Sequence, residues 1–135
     1  EIKKTVTHIA KKHDEEPYKA LATTQQAIFH QLEEQNEIDA AAIFDKVFEE
    51  KPLAREAAQL AITEERVPEK IAVTNVPKYE RKYSKQKFKL DNGIEITIPS
   101  EIYENKEMVE FINNPDGSVS VLIKNIESIL NKFNA

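Results

Sequence analysis

The chain has 135 residues, a formal net charge of −5, 40% hydrophobic residues and no cysteine. It is long enough to bury a core of its own, and it can form neither disulfides nor thiolate metal sites, which favours a reducing, intracellular compartment. No apolar run approaches the roughly 18 residues of a membrane span, and the two glycines allow no phosphate-binding loop, so the totals predict a single soluble domain over residues 1–135.

The first two predicted helices occupy residues 1–36. Ile2, Val6 and Ile9 recur at helical spacing and give the first helix an apolar face. Pro17 suits the first position of the second helix, because the amide that proline lacks would be unpaired there in any case. The second helix carries an apolar stripe that predicts antiparallel packing against a neighbouring helix: Tyr18, Leu21, Ile28 and Leu32.

Two further helices complete the helical half, residues 1–67. Asp39 begins the third helix, because its carboxylate can accept hydrogen bonds from the free amides of the first turn. Pro52 ends this helix and begins the fourth. The predicted inward faces comprise Ile43, Phe44, Val47 and Phe48 in the third helix and Leu53, Ala57, Leu60 and Ala61 in the fourth.

The strand-rich half, residues 68–135, opens with a short strand around Ile71 and a short helix that begins at Val76-Pro77. A hairpin follows, and its loop is predicted to be Asp91-Asn92-Gly93, with the glycine in the left-handed conformation. A two-residue loop at Asn92-Gly93 would place Lys89 opposite Ile96 and mix the apolar and charged faces, and a slip by one residue would turn every isoleucine of the hairpin to solvent. The three-residue loop is therefore preferred.

A second hairpin uses the same turn chemistry. The turn Asn114-Pro115-Asp116-Gly117 joins strands predicted at 108–112 and 118–123, with Phe111 opposite Val121. The last apolar residues recur at helical spacing and predict a short closing helix: Ile126, Ile129, Leu130 and Phe133.

Charge is distributed unevenly along the chain. Residues 14–69 contain fourteen acidic and five basic residues, whereas residues 78–89 contain six basic residues and one acidic residue. A polyanion responds to such local fields rather than to the net charge of the whole chain. We therefore name residues 78–89 the basic segment, and its cations are the candidate nucleic-acid-binding residues: Lys78, Arg81, Lys82, Lys85, Lys87 and Lys89.

Each candidate also has an ordinary structural interpretation. Lysines on a strand face protect a sheet edge from aggregation, and Lys89 can pair with Glu95 across the hairpin. Tyr79 and Tyr83 share a helix face and could stack on bases, but packing into the core is the commoner role of such a pair. The lysines of the first helix are interpreted as its solvent face: Lys3, Lys4, Lys11 and Lys12.

Neither a metal site nor a catalytic site is predicted. His8, His13 and His30 are separated by five and seventeen residues without cysteines, which matches no zinc signature. The carboxylates lie in acidic runs and first helical turns, and no histidine or serine has a catalytic setting. We expect no enzymatic activity, no cofactor, no small-molecule substrate and no membrane partner.

Two tracts, FKLDNGIEITIP and VEFINNPDGSVSVLIKNI, resemble the C-terminal part of the bacterial 37-kilodalton nucleoid-associated protein family. The preceding helices and the acidic tract EEQNEIDAAAIFDKVF follow a similar layout. The resemblance implies association with the bacterial nucleoid in the cytoplasm and binding of double-stranded DNA, and it supplies no contact residues. It also implies that these residues are the C-terminal piece of a longer protein.

The expected fold is α+β: an N-terminal bundle of about four helices, then a three- to four-stranded antiparallel β-meander with short flanking helices. The expected function is non-enzymatic, non-specific binding of double-stranded DNA through its phosphate backbone. The alternative is a protein-interaction or oligomerisation module, in which helical faces form a homodimer and the DNA contacts lie outside these residues.

Overall fold

The computed structural model describes residues 2–134, and the chain forms two compact units, Glu1–Gln86 and Lys87–Ala135. Helices dominate the first unit and antiparallel strands dominate the second. The α+β class with helices first and hairpins second is therefore confirmed. The prediction that residues 1–135 form a single domain stays a prediction.

Four helices provide most of the first unit. α2 packs against α1 and α3, and α4 packs against α1 and α3 as well. Three helices begin where the sequence predicts. Pro17 and Pro52 occupy the first turns of α2 and α4, and the Asp39 carboxylate accepts a 3.1 Å hydrogen bond from the Ala42 amide at the start of α3. The bounds are α1 (Ile2–Lys12), α2 (Pro17–Glu34), α3 (Ala40–Val47) and α4 (Pro52–Thr63).

The buried face of α4 differs from the predicted one. Ala54, Ala58 and Ala61 are 0%, 0% and 1% exposed, whereas Leu53 and Leu60 are 71% and 50% exposed. Alanine side chains let the backbone of α4 approach its neighbours closely, and leucines at those positions would overpack the contact. Of the predicted inward residues, only Ala61 is fully buried, because close helix packing rather than hydrophobicity selects the face.

Three short elements complete the first unit: β1 (Glu37–Asp39), β2 (Lys70–Ala72) and α5 (Val76–Tyr83). β1 and β2 pair in antiparallel fashion, with Ile38 opposite Ile71. The sequence predicts β2 and α5 but not β1, because three residues are too few to display a period-two pattern. α5 packs against α2, so the unit extends beyond the helical half, residues 1–67, as far as Gln86.

Both predicted hairpins form, but they are two separate two-stranded ladders and not one continuous three- to four-stranded meander. The Leu90 amide donates a 2.8 Å hydrogen bond to the Ile94 carbonyl across the three-residue loop, and Gly93 has a φ of +92°. In the second hairpin Phe111 lies opposite Val121. The strands are β3 (Lys85–Lys89) with β4 (Glu95–Pro99), and β5 (Val109–Asn113) with β6 (Val119–Ile123).

Three aromatic rings join the two hairpins and the short helix α6 (Ser100–Tyr103) within the second unit. The Phe88 and Phe111 ring centres are 5.0 Å apart, and the Phe88 and Tyr103 ring centres are 5.8 Å apart. Tilted and offset contacts at such distances each stabilise by about 0.5–1.5 kcal/mol beyond the buried area. Phe88 therefore fixes the inner face of β3, and the lysines of β3 point the other way.

The closing helix predicted near the end of the chain is wrong. Residues 124–131 have no regular secondary structure, and only a 3-10 turn follows at Lys132–Asn134. Ile129 and Phe133 are 83% and 94% exposed. A short helix is marginal without a packed face, and these side chains have no core contact to stabilise one.

Candidate nucleic-acid interface

α5 presents three cations of the basic segment. The Asn75 side chain accepts a 3.3 Å hydrogen bond from the Lys78 amide and so caps the first turn, and Pro77 favours the same start. No residue of α5 is buried, and Lys78, Arg81 and Lys82 are exposed. The helix therefore carries its charged groups at the surface.

Tyr79 and Tyr83 attach α5 to the core of the first unit. Both side chains are half-buried and pack against the hydrophobic cluster of the helices. The Nζ atom of Lys82 lies 5.9 Å from the centre of the Tyr79 ring and 5.5 Å from the centre of the Tyr83 ring. Such cation–π contacts contribute about 0.5–1 kcal/mol at exposed sites. These contacts favour the core role of the two tyrosines over base stacking.

β3 presents the remaining three cations on one face. Lys85, Lys87 and Lys89 are exposed, whereas Gln86 is 2% exposed and Phe88 is half-buried. Because side chains alternate along a strand, the three lysines point the same way and follow one another at roughly 6.6 Å. A row of ammonium groups therefore lines the outer face of the strand.

Glutamines of α2 hold the start of β3 by hydrogen bonds, and the sequence did not predict this structural role. The Gln25 side-chain amide donates a 2.6 Å hydrogen bond to the Lys85 carbonyl. The buried Gln86 amide donates hydrogen bonds of 2.9 Å to the Ala22 carbonyl and 3.0 Å to the Gln26 side-chain oxygen. The available signal was the interruption of the apolar stripe of α2 by Gln25. These bonds satisfy buried polar groups and hold Lys85 and Gln86 against α2 within the first unit.

The cations of the basic segment are not neutralised internally. Within residues 2–134, none of the six forms an ion pair with a carboxylate. The pair expected between Lys89 and Glu95 is therefore not formed. Other cations do pair: Lys124 Nζ lies 2.8 Å from the Glu110 carboxylate, for example. The basic segment keeps its positive charge available to an external anion.

Other kinds of site find little support in the described part of the chain. There, no three histidine or acidic side chains are grouped so that they could hold a metal ion. Of the histidines, His30 lies on the surface with its Nδ1 atom 3.2 Å from the Glu33 carboxylate, one turn along the same helix. No described helix combines the length and the apolar composition needed to cross a membrane.

Comparison with known families identifies the chain over almost its whole length. The family model described as nucleoid-associated protein YejK matches residues 1–131, which include the helices, the basic segment and both hairpins. Neither the comparison with curated proteins nor the comparison with solved structures gives a match. The resemblance carried by the two hairpin tracts is thereby confirmed, and this chain belongs to the nucleoid-associated protein YejK family.

Proposed function

We propose that this chain is a non-enzymatic DNA-binding protein of the bacterial nucleoid, and that its basic segment contacts the phosphates of double-stranded DNA. The observation that carries the proposal is the set of six exposed cations within residues 78–89, none of them ion-paired in the part of the chain described. The family description supports the nucleoid, and hence the bacterial cytoplasm, as the setting.

The electrostatics of DNA explain why unpaired cations suit this role. Duplex DNA carries one negative charge per roughly 1.7 Å of axis and a condensed layer of counterions, and each lysine or arginine that neutralises a phosphate releases one of them. An exposed lysine without an internal ion pair breaks no such pair when it binds. The guanidinium of Arg81 can in addition form two parallel hydrogen bonds to one phosphate. Binding of this kind gains its free energy largely from counterion release.

Phosphate contacts carry no sequence information, so the proposal is for non-specific binding. The acidic residues of the chain restrict how it approaches DNA, since residues 14–69 contain fourteen carboxylates against five cations. Surfaces rich in these carboxylates are repelled by the duplex, and the exposed cations are attracted. The charge pattern therefore favours orientations in which the basic segment faces the duplex.

Salt dependence tests the proposal directly. With six phosphate contacts, the association constant is expected to fall about 2,000-fold between roughly 50 and 200 mM salt. Fluorescence anisotropy with a labelled duplex measures this fall, and a second duplex of unrelated sequence checks the lack of preference. Absence of binding near 50 mM salt would exclude DNA binding by these residues.

A second candidate function is homodimer formation, with the DNA contacts outside these residues. The exposed face of α4 favours it, since Leu53 and Leu60 are 71% and 50% exposed and lie two turns apart on the same side of the helix. Apolar side chains grouped at a surface often mark protein interfaces. Light scattering over a concentration series is expected to show a dimer that the change Leu53→Gln weakens. A monomer at every concentration would argue strongly against this function.

A further inference from the structure

A cleft of about 360 Å³ lies between α1 and α4 in the first unit. α1 contributes Lys4, His8 and Lys12 to its lining, and the segment after α4 contributes Arg66. Residues at spacings of four share one face of a helix, so the three α1 side chains line the cleft in a row. Folding thus adds an arginine from a distant part of the sequence to a helix face that looked like an ordinary solvent surface.

The lining of this cleft carries positive charge alone. Lys4, Lys12 and Arg66 are cationic, His8 and His13 provide imidazoles, and no carboxylate is among the described lining residues. This is unusual in a chain with a net charge of −5. A cleft lined by charges of one sign focuses the field and concentrates counter-ions of the opposite sign. The ligand that it attracts is an anion.

The Glu64 carboxylate pairs with Arg66 of the lining, and this ion pair leaves binding capacity in the cleft. The Arg66 guanidinium is 2.9 Å from the Glu64 carboxylate, and both side chains are more than half exposed. Exposed pairs of this kind stabilise by about 0–1 kcal/mol, so a competing anion displaces them at small cost. A guanidinium also has five N–H donors, and one carboxylate does not occupy them all.

The size and the apolar lining of the cleft favour a phosphate within a larger molecule. Ile9, Ala57 and Leu60 provide apolar side chains in the lining, which lower the local dielectric constant and strengthen the attraction of the cations for an anion. A volume near 360 Å³ is far above the roughly 30 Å³ of one water and within the range of ligand pockets. Lys4, Lys12 and Arg66 are exposed, so a ligand that they bind can continue into solvent.

We propose that the α1–α4 cleft binds a phosphate group and that, in the nucleoprotein complex, this phosphate belongs to the DNA backbone. The second half of this statement rests on the proposed DNA-binding function, and the first half does not. The cleft then gives the chain a phosphate contact additional to the basic segment.

α1 offers a matched control for this proposal. Lys3 and Lys11 are exposed lysines on the same helix, eight residues apart like Lys4 and Lys12, but they do not line the cleft. The variant Lys4→Gln/Lys12→Gln and the control Lys3→Gln/Lys11→Gln therefore have the same charge and the same helix, and they differ only in the face that is changed.

Titration with inorganic phosphate tests the cleft without DNA. We expect amide NMR shifts that saturate at His8, Lys12 and Arg66, beyond those caused by sodium chloride at equal ionic strength. These shifts should disappear in Lys4→Gln/Lys12→Gln and persist in Lys3→Gln/Lys11→Gln. Shifts that spread over the whole surface, or that both variants lose equally, would overturn the phosphate site.

Salt-dependent binding of a labelled duplex tests the source of the phosphate. The logarithmic slope is expected to decrease by about two in Lys4→Gln/Lys12→Gln and to stay unchanged in the control. Equal slopes in the two variants would overturn the DNA assignment while leaving the proposed function intact. If the unmodified chain does not bind DNA, the proposed function and the DNA assignment of the cleft both fail. Saturation of the cleft shifts by ATP but not by the duplex would assign the cleft to a free nucleotide and overturn the DNA assignment.

Discussion

Replacement of Lys85, Lys87 and Lys89 by glutamine is expected to weaken the salt dependence of DNA binding. The slope of the logarithm of the association constant against the logarithm of the salt concentration should become smaller by about three. Each lysine that neutralises a phosphate contributes about 0.9 to this slope. The loss of affinity between roughly 50 and 200 mM salt should therefore become about 40-fold smaller than in the unmodified chain. Anisotropy titrations at four or five salt concentrations measure the difference.

A control with the same net charge separates local contacts from overall charge. Lys70, Lys106 and Lys132 are exposed and lie outside the basic segment and the α1–α4 cleft. Changing these three to glutamine should leave the slope of DNA binding unchanged. Exposed substitutions usually alter stability by less than about 0.5 kcal/mol, so both triple variants should remain folded. An equal loss of slope in both variants would show that net charge alone governs binding, which contradicts a specific role for β3.

The turns were predictable because local chemistry determines them. Gly93 and Gly117 adopt φ values of +92° and +89°, and only a residue without a Cβ reaches that region readily. Each loop then sets the register of its strands, since a slip by one residue would expose the apolar face. The cap at Asp39 was predictable for the same reason, because it depends only on residues that are close together in the chain.

The face of α4 was not predictable, because both of its faces are apolar. Leu53 and Leu60 have the larger hydrophobic side chains, and a pattern based on hydrophobicity selects them. The contacts with α1 and α3 instead require small side chains, and Ala54 and Ala58 are the residues buried there. A choice of this kind depends on the distance between helices, which a single sequence does not contain.

The candidate sites also differ in how far local sequence determines them. The basic segment was visible in the sequence because its six cations all lie within residues 78–89. The hydrogen bonds of Gln25 and Gln86 at the start of β3 join residues that are far apart in the chain. Lys4 and Arg66 are also far apart in the chain, and they line the same cleft. Local patterns carry no information on such contacts, so only the folded chain reveals them.

The change Phe44→Ala is expected to lower the free energy of unfolding by about 3–5 kcal/mol. Phe44 is 0% exposed and belongs to the hydrophobic cluster of the first unit. Removal of its ring loses the transfer free energy of the side chain and leaves a cavity that neighbouring side chains fill only in part. Domains are stable by only about 5–15 kcal/mol in total. Urea unfolding followed by circular dichroism measures the difference.

Phe133→Ala is the matched control, because the same side chain is removed from a site that is 94% exposed. Its expected cost is below about 0.5 kcal/mol, and equal costs for the two changes would contradict the assignment of the core.

The Phe44→Ala variant also tests the prediction of a single domain. If residues 1–135 unfold as one cooperative domain, Phe44→Ala must shift the transition of the β5–β6 hairpin by as much as that of the helices. NMR signals of Phe111 and Val121, which face each other in that hairpin, report this directly. A hairpin transition that stays in place while the helices unfold earlier would mean that the two units are separate folding domains.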